Sequence, residues 1–176
     1  MLRLLREPAP SFANPIALLQ ACHERILQHC QLLERLNTRL KDQGVDSDLQ
    51  QAAERVYRYF TLSGPAHHAD EEKQLFPWLL AHKDLPTATR AIIAELMQQH
   101  SLLDAFWEPL ASDLIQIRQD IFAENTLHMQ PFIDLSRRHV RLENEKVFSV
   151  AAELLDTVTA TALGAAMAER RRTENR

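Results

Sequence analysis

Glycine is nearly missing from this chain: three in 176 residues, against eight prolines. β-Sandwiches and barrels turn at short intervals and draw on glycine to do so, which excludes an all-β fold. The phosphate-cradling patterns GxGxxG and GxxxxGK[ST] are absent as well, so no nucleotide loop is expected. Cationic excess is also lacking. A net charge of −4 and a pI near 6.1 give no general pull toward nucleic acid or an anionic membrane. The run Arg170, Arg171, Arg172 is too short to change that. The most membrane-like window, 148–168, contains Glu153 and Asp156 and is mostly alanine and threonine, so a span is rejected. The opening MLRLLREPAP has neither a long apolar stretch nor a small-residue cleavage site, and no signal peptide is expected. Only two cysteines occur, Cys22 and Cys30, in one helical segment. Eight residues at about 1.5 Å each put them roughly 12 Å apart, beyond disulfide reach. Reduced, packed thiols fit a cytoplasmic protein. What remains is an all-α chain, 45% hydrophobic and long enough to bury one core.

Apolar residues recur at helical spacing in four segments. The first, 15–41, carries Ile16, Leu19, His23, Ile26, Cys30, Leu33 and Leu40 on one face. The second, 48–82, carries Leu49, Ala53, Val56, Phe60, Ser63, His67, Glu71, Leu75 and Trp78, with a kink or short break expected at Gly64–Pro65. The third begins near Thr87 and carries Ile93, Leu96, His100, Leu103, Trp107, Leu110 and Leu114; Pro109 should kink or end it. The fourth starts between residues 122 and 131 and runs to about 155, with Phe132, Leu135, His139, Glu143, Val147, Val150 and Leu154 facing inward. A short extra helix over 161–171 should follow, with a frayed TENR end. The expected organisation is an N-terminal extension (1–14), a bundle (15–155) and a C-terminal helix and tail (156–176). Short loops between long amphipathic helices imply an antiparallel up-down-up-down four-helix bundle.

That topology fixes heights. His23 and His67 each lie about 20 residues from the first loop, on opposite sides of it. Glu71 and His100 are both 13 residues from the second turn, and His100 and His139 are 18 to 20 residues from the third loop. Four inward histidines therefore fall in one layer, within about one 5.4 Å turn. Glu71 and Glu143 each follow a seam histidine by four residues, placing imidazole and carboxylate on the same helix face. One seam histidine is most simply a hydrogen-bonded core residue. Four of them with two buried carboxylates need partners that the apolar stripes cannot supply, and a metal centre satisfies all six together. Mixed imidazole and carboxylate donors suit iron, manganese or zinc. His68 and Glu72 repeat the spacing one residue out of register, either as groups orienting the site or as solvated flank residues. His29 and His82 read as surface, and His128 lies too far along its helix, about 16 Å, to join the centre. Cys22, Trp78 and Trp107 read as packing residues, although Trp107 stands where an access channel would be walled.

The strings HHADEEKQLFP and HVRLENEKVF resemble the two HxxxE signatures of the hemerythrin-like (HHE) cation-binding family, and the histidines of ACHERI and QQHSLLD match its other two ligand helices. The resemblance spans residues 14–155. It implies a non-haem di-iron centre, two ions with an oxo or hydroxo bridge, in which His23, His67, His100 and His139 are terminal ligands and Glu71 and Glu143 bridge. It further implies a small partner molecule, oxygen, nitric oxide or peroxide, that is bound or sensed, or else a role in iron handling. This sequence departs from oxygen carriers in having Asp104 where they place a second histidine, and HxxxE where they have HxxxxD. The four-histidine, two-glutamate set is closer to di-iron proteins that repair metal centres under nitrosative or oxidative stress, whose additional N-terminal cysteine-bearing domain has no counterpart in this sequence. Asp104 is then an added ligand or a polar group lining the open position. A ferritin-like di-iron oxidase ranks below both, since no glutamate here has a histidine three residues later. A metal-free helical interaction module would leave both glutamates unpaired. No catalytic triad, HExxH or CxxC pattern points to a separate enzymatic activity.

Overall fold

The computed structural model describes residues 11–174, and these contain five helices and no strand. They are α1 (Pro15–Gln43), α2 (47–81), α3 (Thr87–Arg118), α4 (130–154) and α5 (Thr157–Glu174). Each boundary has a local cause. The Asn14 side chain accepts the Ala17 N–H and Pro15 follows it, so α1 starts with a capped first turn. Gly44, at φ 74°, ends α1 in a conformation that favours glycine and returns its N–H to the Leu40 carbonyl. Asp46 then caps α2 by accepting the Leu49 N–H at 2.8 Å, and Arg39 pairs with Asp46 to close the loop.

Side-chain pairs show how the helices run. Between α1 and α4, His23 meets Asn144, Glu34 meets Arg137 and Asn37 meets the Leu127 backbone, one chain rising as the other falls. Between α2 and α3, Glu54 pairs with Arg118, Tyr57 packs on Trp107 and Glu72 bonds His100. Between α3 and α4, Asp113 meets His128, Trp107 meets Phe132 and His100 meets His139. Neighbours are antiparallel. Two apolar clusters fill the interior, one containing Leu33, Val56, Leu114 and Ile133, the other Leu19, Leu75, Leu96 and Phe148. A layer of buried polar side chains separates them.

The inward faces depart from an ideal helix at three π-helical turns: Tyr59–Ser63, Glu71–Leu75 and Asn144–Phe148. Each turn takes an extra residue and rotates the remainder of its helix. Ser63, expected inside, is exposed, and Gly64 is buried in its place. Likewise Val150 and Leu154 are only partly buried, while Phe148 and Ala151 take the core. The expected break at Gly64–Pro65 is thus a π turn that carries α2 onward. Pro109 does not end α3, which continues to Arg118. α5 is longer than expected, starting at Thr157; Thr173 and Glu174 remain helical, and Asn175, Arg176 and the first ten residues of the N-terminal extension lie outside the described residues. Among the described residues no helix is long and apolar enough to cross a membrane.

α5 lies against the bundle through Leu163 and Met167. Residue 12 crosses it at Gly164, where an added Cβ would stand 1.7 Å from the Phe12 carbonyl oxygen. A backbone atom cannot yield cheaply, so Gly164→Ala should dislodge segment 11–14 from α5. Faster amide exchange at Ala13 and Asn14, with the core amides unchanged, is the expected result. Unchanged exchange there would show that the contact is dispensable.

Candidate metal centre

The buried layer resolves into two groups of metal-ligating atoms. His23, His67, Glu71 and Glu143 form one, and His68, His100 and His139 the other; within each group the atoms lie within 4.8 Å of one another. The carboxylates stand between the groups. Glu71 Oε1 is 3.0 Å from His67 Nε2 and 3.8 Å from His23 Nε2, while its Oε2 is 3.4 Å from His100 Nε2. Glu143 Oε2 is 3.2 Å from His23 Nε2 and 3.4 Å from His139 Nε2. All six residues predicted as ligands are thus brought together. His68 is brought in with them, its ring stacked on His100 at 3.9 Å. It is not a solvated flank residue: the rotation at the first π turn leaves His67 facing α1 and His68 facing α3.

Three rings are held by oxygen atoms behind them. His23 Nδ1–H donates to Asn144 Oδ1 at 2.8 Å, His100 Nδ1–H to Glu72 Oε1 at 2.7 Å, and His139 Nδ1–H to Gln99 Oε1 at 3.1 Å. Gln99 is itself oriented, because its amide nitrogen donates to Glu95 at 2.8 Å. With the proton on Nδ1, each Nε2 presents a lone pair to the centre. His100 Nε2 and His139 Nε2 then face each other at 3.2 Å as two acceptors. His23 Nε2, both His67 nitrogens and all four oxygens of Glu71 and Glu143 lack a hydrogen-bond partner. One His67 nitrogen carries a proton in the neutral ring, but the remaining acceptors, aimed at one another in a dry core, require positive charge between them.

Protons can supply that charge when no cation is present. Burial disfavours the charged imidazolium of His67, but Glu71 and the Cys22 thiol outweigh it and push its pKa up to about 10. Glu71 is held well below the usual carboxylate range: burial opposes ionisation, and His67, His100 and His23 override it. His68 goes the other way, burial and the neighbouring His100 keeping it neutral.

The remaining candidates divide clearly. Glu72 sits behind His100, and Asp104 is exposed, outside both groups but at the edge of a cavity that reaches His68 and His139. Trp107 also lines that cavity. His128 is exposed and paired with Asp113; His29 and His82, expected at the surface, are half-buried, with His29 stacked on Tyr59. Sequence reading misses Gln99 and Asn144, whose only signal is that each adjoins a ligand candidate. It also misses Asp70, fully buried beside Glu71, which binds Arg170 at 3.0 Å and Arg171 at 2.8 Å and so ties α5 across the site.

The hemerythrin HHE cation-binding domain matches residues 14–151. An uncharacterized protein of Haemophilus influenzae is 31% identical over 159 residues, covering 90% of each chain. The matched span runs from the cap of α1 to the last buried turn of α4 and takes in every member of both groups, so the chain belongs to the hemerythrin HHE cation-binding family.

Proposed function

We propose that this protein holds two iron ions in the buried layer and uses them to bind or sense a small molecule such as oxygen, nitric oxide or peroxide. The observation that carries the reading is the set of inward acceptors without partners. His23 and His67 would hold one ion, His68, His100 and His139 the other, with Glu71 and Glu143 shared between them. Iron suits five imidazoles and two carboxylates better than a purely hard or purely thiolate-loving metal. Bound there, the pair supplies electrons and open coordination positions to a small ligand. The protein's part is to fix the ring tautomers through Glu72, Gln99 and Asn144, to exclude bulk water, and to leave one access route beside His68. His68 would supply a fifth histidine from α2, and a role as iron donor or in repair of damaged metal centres remains the alternative use of the same centre. The buried free thiols of Cys22 and Cys30 suit the reducing cytoplasm, where we place the protein.

Anaerobic iron reconstitution with optical spectra tests this reading. Charge-transfer bands that change on adding oxygen, nitric oxide or peroxide are expected; spectra indifferent to all three would overturn ligand binding. Acid should empty the centre. The histidines must be neutral to bind metal, so affinity should already weaken as pH falls below about 10, where His67 takes a proton, and occupancy should be lost below about pH 6, where free imidazole protonates, the unfolding midpoint falling with it. The metal-free protein should respond less, losing in this range only the share of His68, whose neutral form the fold favours and whose contribution falls away as pH drops below the ordinary 6.5. A raised His67 pKa contributes stability that is fully present below the ordinary 6.5 and lost only as pH rises through about 10. The depressed Glu71 contributes above its ordinary 4.5 and is lost only as pH falls through its lower folded value. Equal acid sensitivity with and without metal contradicts the coupling.

A further inference from the structure

Beside the second histidine group lies a cavity of about 250 Å³, bounded by α1, α2, α3 and α4. His139 closes its buried end, and exposed Asp104 marks its mouth. Its walls are aromatic: Phe60, Trp107 and Phe132 pack with ring centroids 4.9 to 5.6 Å apart. A diatomic molecule leaves such a space mostly unfilled. A cavity of roughly 150 Å³ takes a benzene ring, so this one has room for about ten non-hydrogen atoms. Gly64, which also lines it, adds a second observation. The residue is helical, at φ −61° and ψ −57°, and a Cβ there would meet only Phe60 Cδ1, at 3.9 Å. Neither the backbone nor a close contact requires glycine, and alanine or leucine there would favour the helix. Its absent side chain keeps space open over the aromatic wall.

We propose that this cavity is a binding site for a small aromatic molecule of about two fused rings, its inner edge against His68 and His139 and a single polar substituent at the mouth near Asp104 and Thr61. Apolar walls with a few polar groups at the two ends are the usual make-up of an organic-ligand pocket. Water bonds poorly to such walls, so an aromatic occupant displaces it favourably. The site depends on the cavity alone and does not require that the neighbouring groups carry metal.

The test is titration of 2-naphthol into the metal-free and the zinc-loaded protein, monitored through the two indole N–H resonances. Saturable one-to-one binding should shift Trp107 and leave Trp78, outside the cavity, unmoved. Gly64→Leu should weaken binding about tenfold or more by occupying the space, and Val140→Phe, from the facing helix, provides a second obstruction should the first misfold. Non-saturating titration, an unmoved Trp107, or full affinity in both variants overturns the proposal. Naphthol binding by a protein that takes up no metal would retire the metal reading and leave this one standing; metal uptake without naphthol binding does the reverse.

Discussion

If the buried layer holds the two proposed ions, Glu71→Ala should cost the protein both. Glu71 is fully buried and its two oxygens point to different groups, Oε1 to His67 and His23 and Oε2 to His100. Removing it takes a negative charge and a donor from each half of the centre, so iron content should fall from about two ions per chain to well under one. The metal-free protein should also report the change. Without Glu71, His67 loses the strongest influence that raises its pKa and keeps only that of Cys22, so its pKa should fall from about 10. Replacing a supporting residue should do less. Glu72→Gln leaves every inward atom in place and weakens only the hold on His100, a loss of about 10- to 100-fold in affinity. Asp104→Ala and His128→Ala, outside both groups, should leave metal content unchanged. Metal analysis with a chelator competition separates these cases, and retention of both ions by Glu71→Ala would reject the shared-carboxylate assignment.

Asp70→Ala should be the most destabilising of the substitutions around the centre that spare the ligands. Asp70 has no exposed surface and holds both Arg170 and Arg171. Both arginines keep some contact with solvent, so the loss is that of charge-assisted hydrogen bonds, about 1.5–3 kcal/mol, out of the roughly 5–15 kcal/mol typical of a whole domain. The loss should be read as a lower unfolding midpoint and as faster amide exchange along α5, whose Met167 is buried against the bundle. Arg172→Ala is the matched control. Its pairing with Glu169 is exposed on both sides and should contribute little. Equal effects from the two substitutions would mean that Asp70 does not anchor α5.

The height and direction of the four seam histidines are legible in the sequence because each depends only on helix rise and loop position. His23, His67, His100 and His139 would fall in one layer for any antiparallel bundle with these loops. What the sequence conceals is rotation. An ideal helix advances about 100° per residue, and the three π turns break that advance at Tyr59, Glu71 and Asn144. Nothing in the residue types marks such a turn, so periodicity alone puts Ser63 inside and leaves His68 at the flank. Two of the turns begin at or just after the buried glutamates, which links the irregular backbone to the positions of these carboxylates. Asp70 is hidden for another reason. An aspartate on a helix is ordinarily solvated, and only α5, packed across from the far end of the chain, buries it. Pro109 misleads by its type, since a proline reads as a helix end even where the surrounding bundle carries the helix through it.

On the proposed function, the buried layer holds two ions rather than one or none. Anomalous diffraction at the iron absorption edge, from crystals of the iron-loaded protein, tests it most directly. Two peaks are predicted, one among His23, His67, Glu71 and Glu143 and the other against His68, His100 and His139, with both carboxylates reaching each. A single peak in the layer, or iron found only at the surface, would contradict the account.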